Sequence, residues 1–271
     1  MNEKPVLREL SVGELLDKAF RLYRAQFLPL LGITAAVLIP FTLLQILSAV
    51  TMGSTQIVDL IQAFFNPLIL GALAIATSRT YLSATFTIRQ AFSLGSKRYG
   101  SILGAGILQG LALVAPALIF LVFTLLGSFF QVIGFLGYLA VLLYLTTRWA
   151  IGTVAIVLEN IGASEGLSRS WKLTDKHFWR VLGTSTAASA IVILATLLPI
   201  ASLNILTDWL SIPEIPALLV STVISQLIVA LVNPFSVAVN VLIYYDLRIR
   251  VEAFDLEYAI ESPETPAASG S

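Results

Sequence analysis

Three sets of polar residues in this 271-residue chain have types and spacings that could do chemistry. His177, the only histidine, lies in "SWKLTDKHFWRVLG" (170–183) among Lys172, Lys176, Arg180 and two tryptophans, Trp171 and Trp179. An imidazole can act as a general base or a metal ligand, but either role needs a partner. The chain has no cysteine, and no acidic cluster stands in register with His177, so a polar role at a membrane interface is the expectation. Gln226, Asn233 and Asn240 are spaced by seven, which returns a helix nearly to the same face. Three amides in one stripe can hydrogen-bond a neighbouring helix or line a polar cavity, and Gln62 and Asn66 are the amides they would meet. Arg148 sits where one apolar run ends and "WAIGTVAIVLE" begins, so a charge stands beside two greasy segments.

The elements that must position these groups follow from composition. Hydrophobic residues make up 57% of the chain and charged residues only 12%, against about 25% charged in soluble domains. A bilayer core of ~30 Å needs about 20 apolar residues per helix. Six such runs lie at about 27–51, 57–80, 100–127, 129–147, 180–206 and 216–245. Helices are expected because lipid offers backbone groups no partners, and the alternation of barrel strands is absent. The fold class is therefore all-α, a polytopic membrane bundle of six transmembrane helices.

Charge placement orients it. Lys4, Arg8, Lys18, Arg21 and Arg24 precede the first run; Arg79, Arg89, Lys97 and Arg98 separate the second from the third. Arg148, Arg169, Lys172, Lys176 and Arg180 separate the fourth from the fifth, and Arg248 and Arg250 follow the sixth. The other three connections hold only the acids Asp59, Asp208 and Glu214. The positive-inside rule then places both termini in the cytoplasm of a multi-pass protein of the bacterial cytoplasmic (inner) membrane. A polar leading stretch of 26 residues and a full-length first run argue against a cleaved signal peptide.

Three segments align without gaps: "VGELLDKAFRLYRAQFLPLLG" (12–32), "ATFTIRQAFSLGSKRYGSILG" (84–104) and "ASEGLSRSWKLTDKHFWRVLG" (163–183). Leu16, Ile88 and Leu167 coincide, as do Phe20, Phe92 and Trp171, and Phe27, Tyr99 and Phe178. In the first copy Val12, Leu15, Leu16, Ala19, Phe20, Tyr23 and Phe27 share one helical face, and Ser11 with Glu14 forms a capping box. Such a helix is expected to lie in the interface with its apolar face in lipid and its cations near anionic headgroups. Arg21, Arg24, Lys97, Arg98, Arg148, Trp171, Lys172, Lys176, Trp179 and Arg180 are the candidate headgroup contacts. The chain thus reads as one membrane domain over residues 1–260. It has three tandem units, about 11–82, 83–160 and 162–250, each an amphipathic interfacial helix followed by a two-helix hairpin. The Pro/Ser/Ala-rich tail 261–271 is expected to be disordered.

"LSVGELLDKAFRLYRAQFLPLLG", "YLTTRWAIGTVAIVLENIGASEGLSRSWKLTDKHFWRVLG" and "NPFSVAVNVLIYYDLRIRVEAFDLE" resemble a bacterial membrane family, the membrane domain of glycerophosphoryl diester phosphodiesterase. The resemblance covers most of residues 7–258. It implies a membrane module found fused to that enzyme or alone. The phosphodiesterase chemistry belongs to the fused soluble domain, which uses paired histidines and clustered carboxylates around a metal, and no catalytic residue of the family maps onto this chain.

Other span features concern packing. Pro40, Pro67, Pro116, Pro199 and Pro234 interrupt five runs, two of them as Asn66-Pro67 and Asn233-Pro234. These are kinks, or broken helices lining a path. Gly100, Gly104, Gly106 and Gly110 allow close helix contact, within the chain or between subunits. Around Arg148, either the fourth span is overlong or a short apolar segment folds back at the interface. Glu159 should meet a basic neighbour. Tyr244 to Arg248 reads as an aromatic and ionic anchor at the cytoplasmic surface. Catalytic clusters, a phosphate loop and an HExxH motif are all absent from the sequence. The expectation is a non-enzymatic protein with no cofactor or metal, a structural, accessory or lipid-organising module. A carrier for a lipid or small solute, with its polar path near the sixth span, is the alternative. Its partners are membrane lipids and other membrane proteins, not nucleic acid.

Overall fold

The computed structural model describes residues 8–255, so the tail at 261–271 lies outside the described residues. Ten α-helices follow in order: α1 (Val12–Ala25), α2 (Phe27–Met52), α3 (Gln56–Tyr81), α4 (Ile88–Gly95), α5 (Tyr99–Leu125), α6 (Ser128–Arg148), α7 (Gly152–Leu158), α8 (Ala163–Thr174), α9 (Phe178–Trp209) and α10 (Glu214–Glu252). There is no strand among the described residues. Six helical stretches, built around α2, α3, α5, α6, α9 and α10, are long and apolar enough to cross a membrane. They coincide with the six apolar runs of the sequence.

Local chemistry sets the boundaries. Ser11 Oγ accepts from Glu14 N and the Glu14 carboxylate accepts from Ser11 N, closing the expected capping box of α1. Thr87 and Gln90 repeat that box at α4. At α8 the Glu165 carboxylate accepts from Gly162 N. Gly53 (φ 67°) caps α2, and Gly127 (φ 111°) turns α5 into α6; both adopt backbone that side chains disfavour. α4 starts one turn later than the alignment with α1 predicts, at Ile88, because Thr87 captures the cap. The residues that open the next long helices, Gln26, Arg98 and His177, occupy equivalent positions and share one conformation: φ/ψ −118/30, −109/15 and −123/22.

Packing departs from expectation at α1. Leu15, Ala19 and Leu22 are buried within the protein, against α10 and its neighbours, and only Phe20 of the expected face stands half exposed. The apolar face is therefore turned onto the ends of the spans, not into lipid. The cause is the length of α10, whose 39 residues run past the slab and offer α1 an apolar wall. α8 does the same, burying Leu167, Ser170 and Leu173. In the membrane layer α2, α3 and α10 pack together and α9 lies along α10. α6 pairs mainly with α5, which also packs on α3, α7 and α8; of the two helices' residues only Ile102, Ala105, Gly134 and Thr147 are buried.

Of the two arrangements open around Arg148, the chain takes the fold-back. α6 ends at Arg148, and α7 forms a buried apolar peg among α3, α5, α8 and α10, with Val154 to Val157 inside. Glycines permit its approach: a Cβ on Gly166 would meet Ile156 at 2.2 Å. The other close crossing is α3 on α4, where a Cβ on Gly95 would lie 2.4 Å from the Gly71 carbonyl carbon. The GxxxG-spaced residues do not serve this purpose within the chain. Gly100, Gly106 and Gly110 face open space, and Gly104 alone touches a neighbour, Ala163.

Two outcomes follow. Gly95→Ala drives a methyl into backbone and should cost about 1–3 kcal/mol, read as a lower unfolding midpoint in detergent, while Gly106→Ala leaves the midpoint unchanged. The bonds from Arg8 and Ser11 hold the Glu14 carboxyl down at about 2, below its ordinary 4.5. A lowered folded-state value means that its stabilisation is complete above the ordinary value and is lost as pH falls toward 2. The stability gap between the native chain and Glu14→Gln should persist at pH 5 and close only near pH 2.

Candidate functional site

The polar side chains concentrate at the end of the bundle that carries α1, α4 and α8, here termed the charged end. Its centre is Asp246, only 2% exposed on α10. Asp246 Oδ1 accepts from Leu10 N at 2.9 Å, and Oδ2 accepts from Arg180 Nε and Arg250 Nε, both at 2.9 Å. The same two guanidiniums donate to the Leu10 carbonyl, Arg250 at 3.1 Å. Arg250 Nη1 also reaches Glu9 at 2.6 Å. One carboxylate thus fastens the segment before α1 to α9 and α10. On its flank Tyr245 shares a hydrogen bond with Ser78 at 2.7 Å and packs on Tyr81, whose ring centroid is also 4.5 Å from Lys18 Nζ.

A second network uses the next face of α10. Arg169 of α8 grips Glu159 through Nε (2.8 and 2.9 Å) and Glu252 through both Nη atoms (2.5 and 2.8 Å). Tyr244 donates to Glu159 at 2.9 Å, and Arg248 donates to Glu252 at 3.1 Å. Tyr244, Arg248 and Glu252 are four apart, so one stripe of α10 makes all three contacts. Arg169 is therefore the basic neighbour that Glu159 was expected to have. The surface anchor read at Tyr244 to Arg248 is corrected: Tyr244 to Leu247 are buried, because α1, α7 and α8 cover them.

Arg148 is 11% exposed and closed in by aromatic rings. Its guanidinium carbon lies 5.4, 5.1 and 5.3 Å from the ring centroids of Tyr144, Trp171 and Phe178, and Nη1 meets Asp175 at 3.1 Å. Ser170 Oγ donates to its carbonyl. His177 is the N-cap residue of α9, next to Phe178 of this cage.

The amides separate into different places. Gln62 and Gln226 meet, exchanging bonds of 3.4 and 3.3 Å. They join Gln45, which donates to Gln62 at 3.0 Å and to Asp59 at 2.6 Å. Gln45 is 1% exposed and its Oε1 has no partner among the described residues. This central member of the network was not singled out in the sequence, although a lone glutamine inside the first apolar run was the available signal. Gln226 also borders a cavity of about 270 Å³ between α2 and α10. Asn66 lies elsewhere, exposed on the wall of an open cavity of about 370 Å³ between α3 and α5 that Gln109 and Thr153 also line. Asn233 and Asn240 are half-buried on α10, and their side chains make no hydrogen bond to the described residues.

The candidate headgroup residues also divide. Arg180 directs its charge inward to Asp246, Arg148 into its cage, and Arg98 to Asn160. Arg21 pairs with Asp17 at the exposed surface, Arg24 lies over Phe20, and Trp171 packs beside Tyr144 and Trp149. Lys97, Lys172 and Lys176 are exposed with no salt bridge among the described residues, and Trp179 is 80% exposed. Among the described residues no group of three His, Cys, Asp or Glu is placed to hold a metal.

Breaking a buried, paired charge costs about 3–5 kcal/mol because its partners stay behind unpaired. Asp246→Asn should lower stability by that order in a denaturant titration and expose the chain around Leu10 to protease, whereas Asp17→Asn at the exposed pair changes neither by more than about 1 kcal/mol.

No curated protein matches the chain, and no solved structure matches it. One family model does, over residues 12–247, from the start of α1 to the buried turn of α10 that holds Asp246. Nothing in that match links the chain to the phosphodiesterase membrane domain. The match takes in all ten helices up to that turn, and the chain belongs to the DUF7847 family, a domain of unknown function.

Proposed function

We propose that the protein is a non-enzymatic, lipid-organising module of the bacterial cytoplasmic membrane, with its charged end and both termini on the cytoplasmic side. The observation that carries this is the division of cations at that end. Arg148, Arg169, Arg180 and Arg250 are engaged in ion pairs within the chain, while Lys97, Lys172, Lys176 and Trp179 stand exposed. A frame that leaves these three lysines outward suits anionic headgroups, each lysine being worth ~1 kcal/mol near such a surface. The exposed indole suits the same zone. We also read the chain as three tandem units, about 11–82, 83–160 and 162–250. The matched dihedrals at Gln26, Arg98 and His177, and the N-cap N–H donating to the side chain three residues on at α1, α4 and α8, support that reading.

The carrier reading draws on the amides, but Gln62 and Gln226 bond to each other and to Gln45, as interhelical glue would. The test is native mass spectrometry of the protein released from bilayers of phosphatidylglycerol and phosphatidylethanolamine. Lys97→Glu, Lys172→Glu and Lys176→Glu combined should reduce retained phosphatidylglycerol at least tenfold. Retention equal to that of the native chain would sink the proposal.

A further inference from the structure

The cavity between α3 and α5 lies near the middle of both spans. Asn66 is ten residues into α3 and Gln109 ten residues into α5, each about 15 Å from its helix start. Thr153, at the head of the α7 peg, forms part of the wall. Asn66, Gln109 and Thr153 have no hydrogen-bond partner among the described residues, though hydrocarbon penalises such groups.

A fourth polar atom joins them. Pro67 has no N–H, so the carbonyl of Ala63, four residues back and in the cavity wall, loses its helical donor. The neighbouring Phe64 carbonyl gains the Tyr99 hydroxyl at 2.8 Å, but no described side chain donates to Ala63. The cavity therefore offers one carbonyl that Pro67 cannot serve as its helical donor, two amides that can donate and accept, and a hydroxyl.

Its remaining lining is apolar, and the mouth is flanked by Leu60, Phe64 and Ile107, all exposed to the membrane phase. No Lys, Arg, Asp or Glu lines the cavity, so a phosphate or carboxylate there would be an unpaired charge at depth. A volume of about 370 Å³ is within the range of ligand pockets and suits a small polar head with the first part of a chain.

We infer that this cavity binds an uncharged, hydroxyl-bearing glycerolipid. Its hydroxyl donates to the Ala63 carbonyl, its ester oxygens accept from Asn66 and Gln109, and its acyl chains leave past Leu60, Phe64 and Ile107. The site rests on the reading of the chain as a lipid-organising protein and adds a depth-specific, neutral lipid to its anionic rim.

The test uses the full chain in phosphatidylcholine nanodiscs with a diazirine-bearing diacylglycerol as probe. Photolabelling should saturate, map to peptides within 60–70 and 102–109, and be competed by dioctanoylglycerol but not by phosphatidylglycerol. Asn66→Leu with Gln109→Leu should reduce labelling roughly tenfold, as expected for two lost bonds in a membrane. Gly106→Phe fills the cavity from a position where an added Cβ meets nothing within 4 Å, and should abolish labelling while leaving the melting temperature in place. Labelling that does not saturate, that phosphatidylglycerol competes equally, or that Gly106→Phe leaves intact overturns the site. Should a variant fail to fold, saturation and competition on the native chain decide. Unchanged phosphatidylglycerol retention in the lysine variant overturns the rim and leaves the labelling result standing, so the two failures are distinguishable.

Discussion

A carboxylate buried at the end of α10 is the constraint on which the charged end depends. Asp246 has almost no contact with solvent, so each of its oxygens must be satisfied by the protein. It is satisfied by groups from three places far apart in the chain: Leu10 before α1, Arg180 at the head of α9 and Arg250 one turn on. The peptide of Leu10 is held at both its N–H and its C=O, which fixes where α1 begins and which way its apolar face turns. The hydrophobic burial of Leu15 and Ala19 therefore follows from an electrostatic anchor as well as from helical periodicity.

The same end solves a second problem. Spans of unequal length leave apolar side chains beyond the slab, and short amphipathic helices cover them. α7 goes further and fills the middle with an apolar peg, and Arg169 ties the helix beside it to α10 through Glu159 and Glu252. Both ionic networks meet on α10, on adjacent stripes of one helix. That is why the final turns of a span can be the most buried part of the fold while carrying its densest charge.

Periodicity and charge made the six spans and the capping box at Ser11 legible as expectations, and the fold-back after Arg148 legible as one of two alternatives, because these depend on local sequence. Tertiary choices were not legible. Arg180 and Lys176 are four residues apart on one basic stretch, yet one charge turns inward and the other outward, and only Asp246, 66 residues from Arg180, decides it. The spacing of Gln226, Asn233 and Asn240 named a face but not its partners. Gln226 finds Gln62, while Asn66, four residues from Gln62, faces α5 instead. The glycine spacing in α5 suggested a crossing that Gly71 and Gly95 make elsewhere, since the pattern carries no information about the opposing helix.

The α5–α6 hairpin has a mechanical consequence. α6 has 21 residues and α9 has 32, or about 31 and 48 Å of helix. A slab of ~30 Å accommodates the first upright and obliges the second to tilt or to protrude. α9 is fastened along α10, so its inclination belongs to the protein. The hairpin is buried chiefly near its base and otherwise meets lipid, so its inclination belongs to the bilayer. Mismatch costs only fractions of a kcal/mol per ångström, little enough for a thicker or thinner membrane to swing the hairpin against a stationary frame.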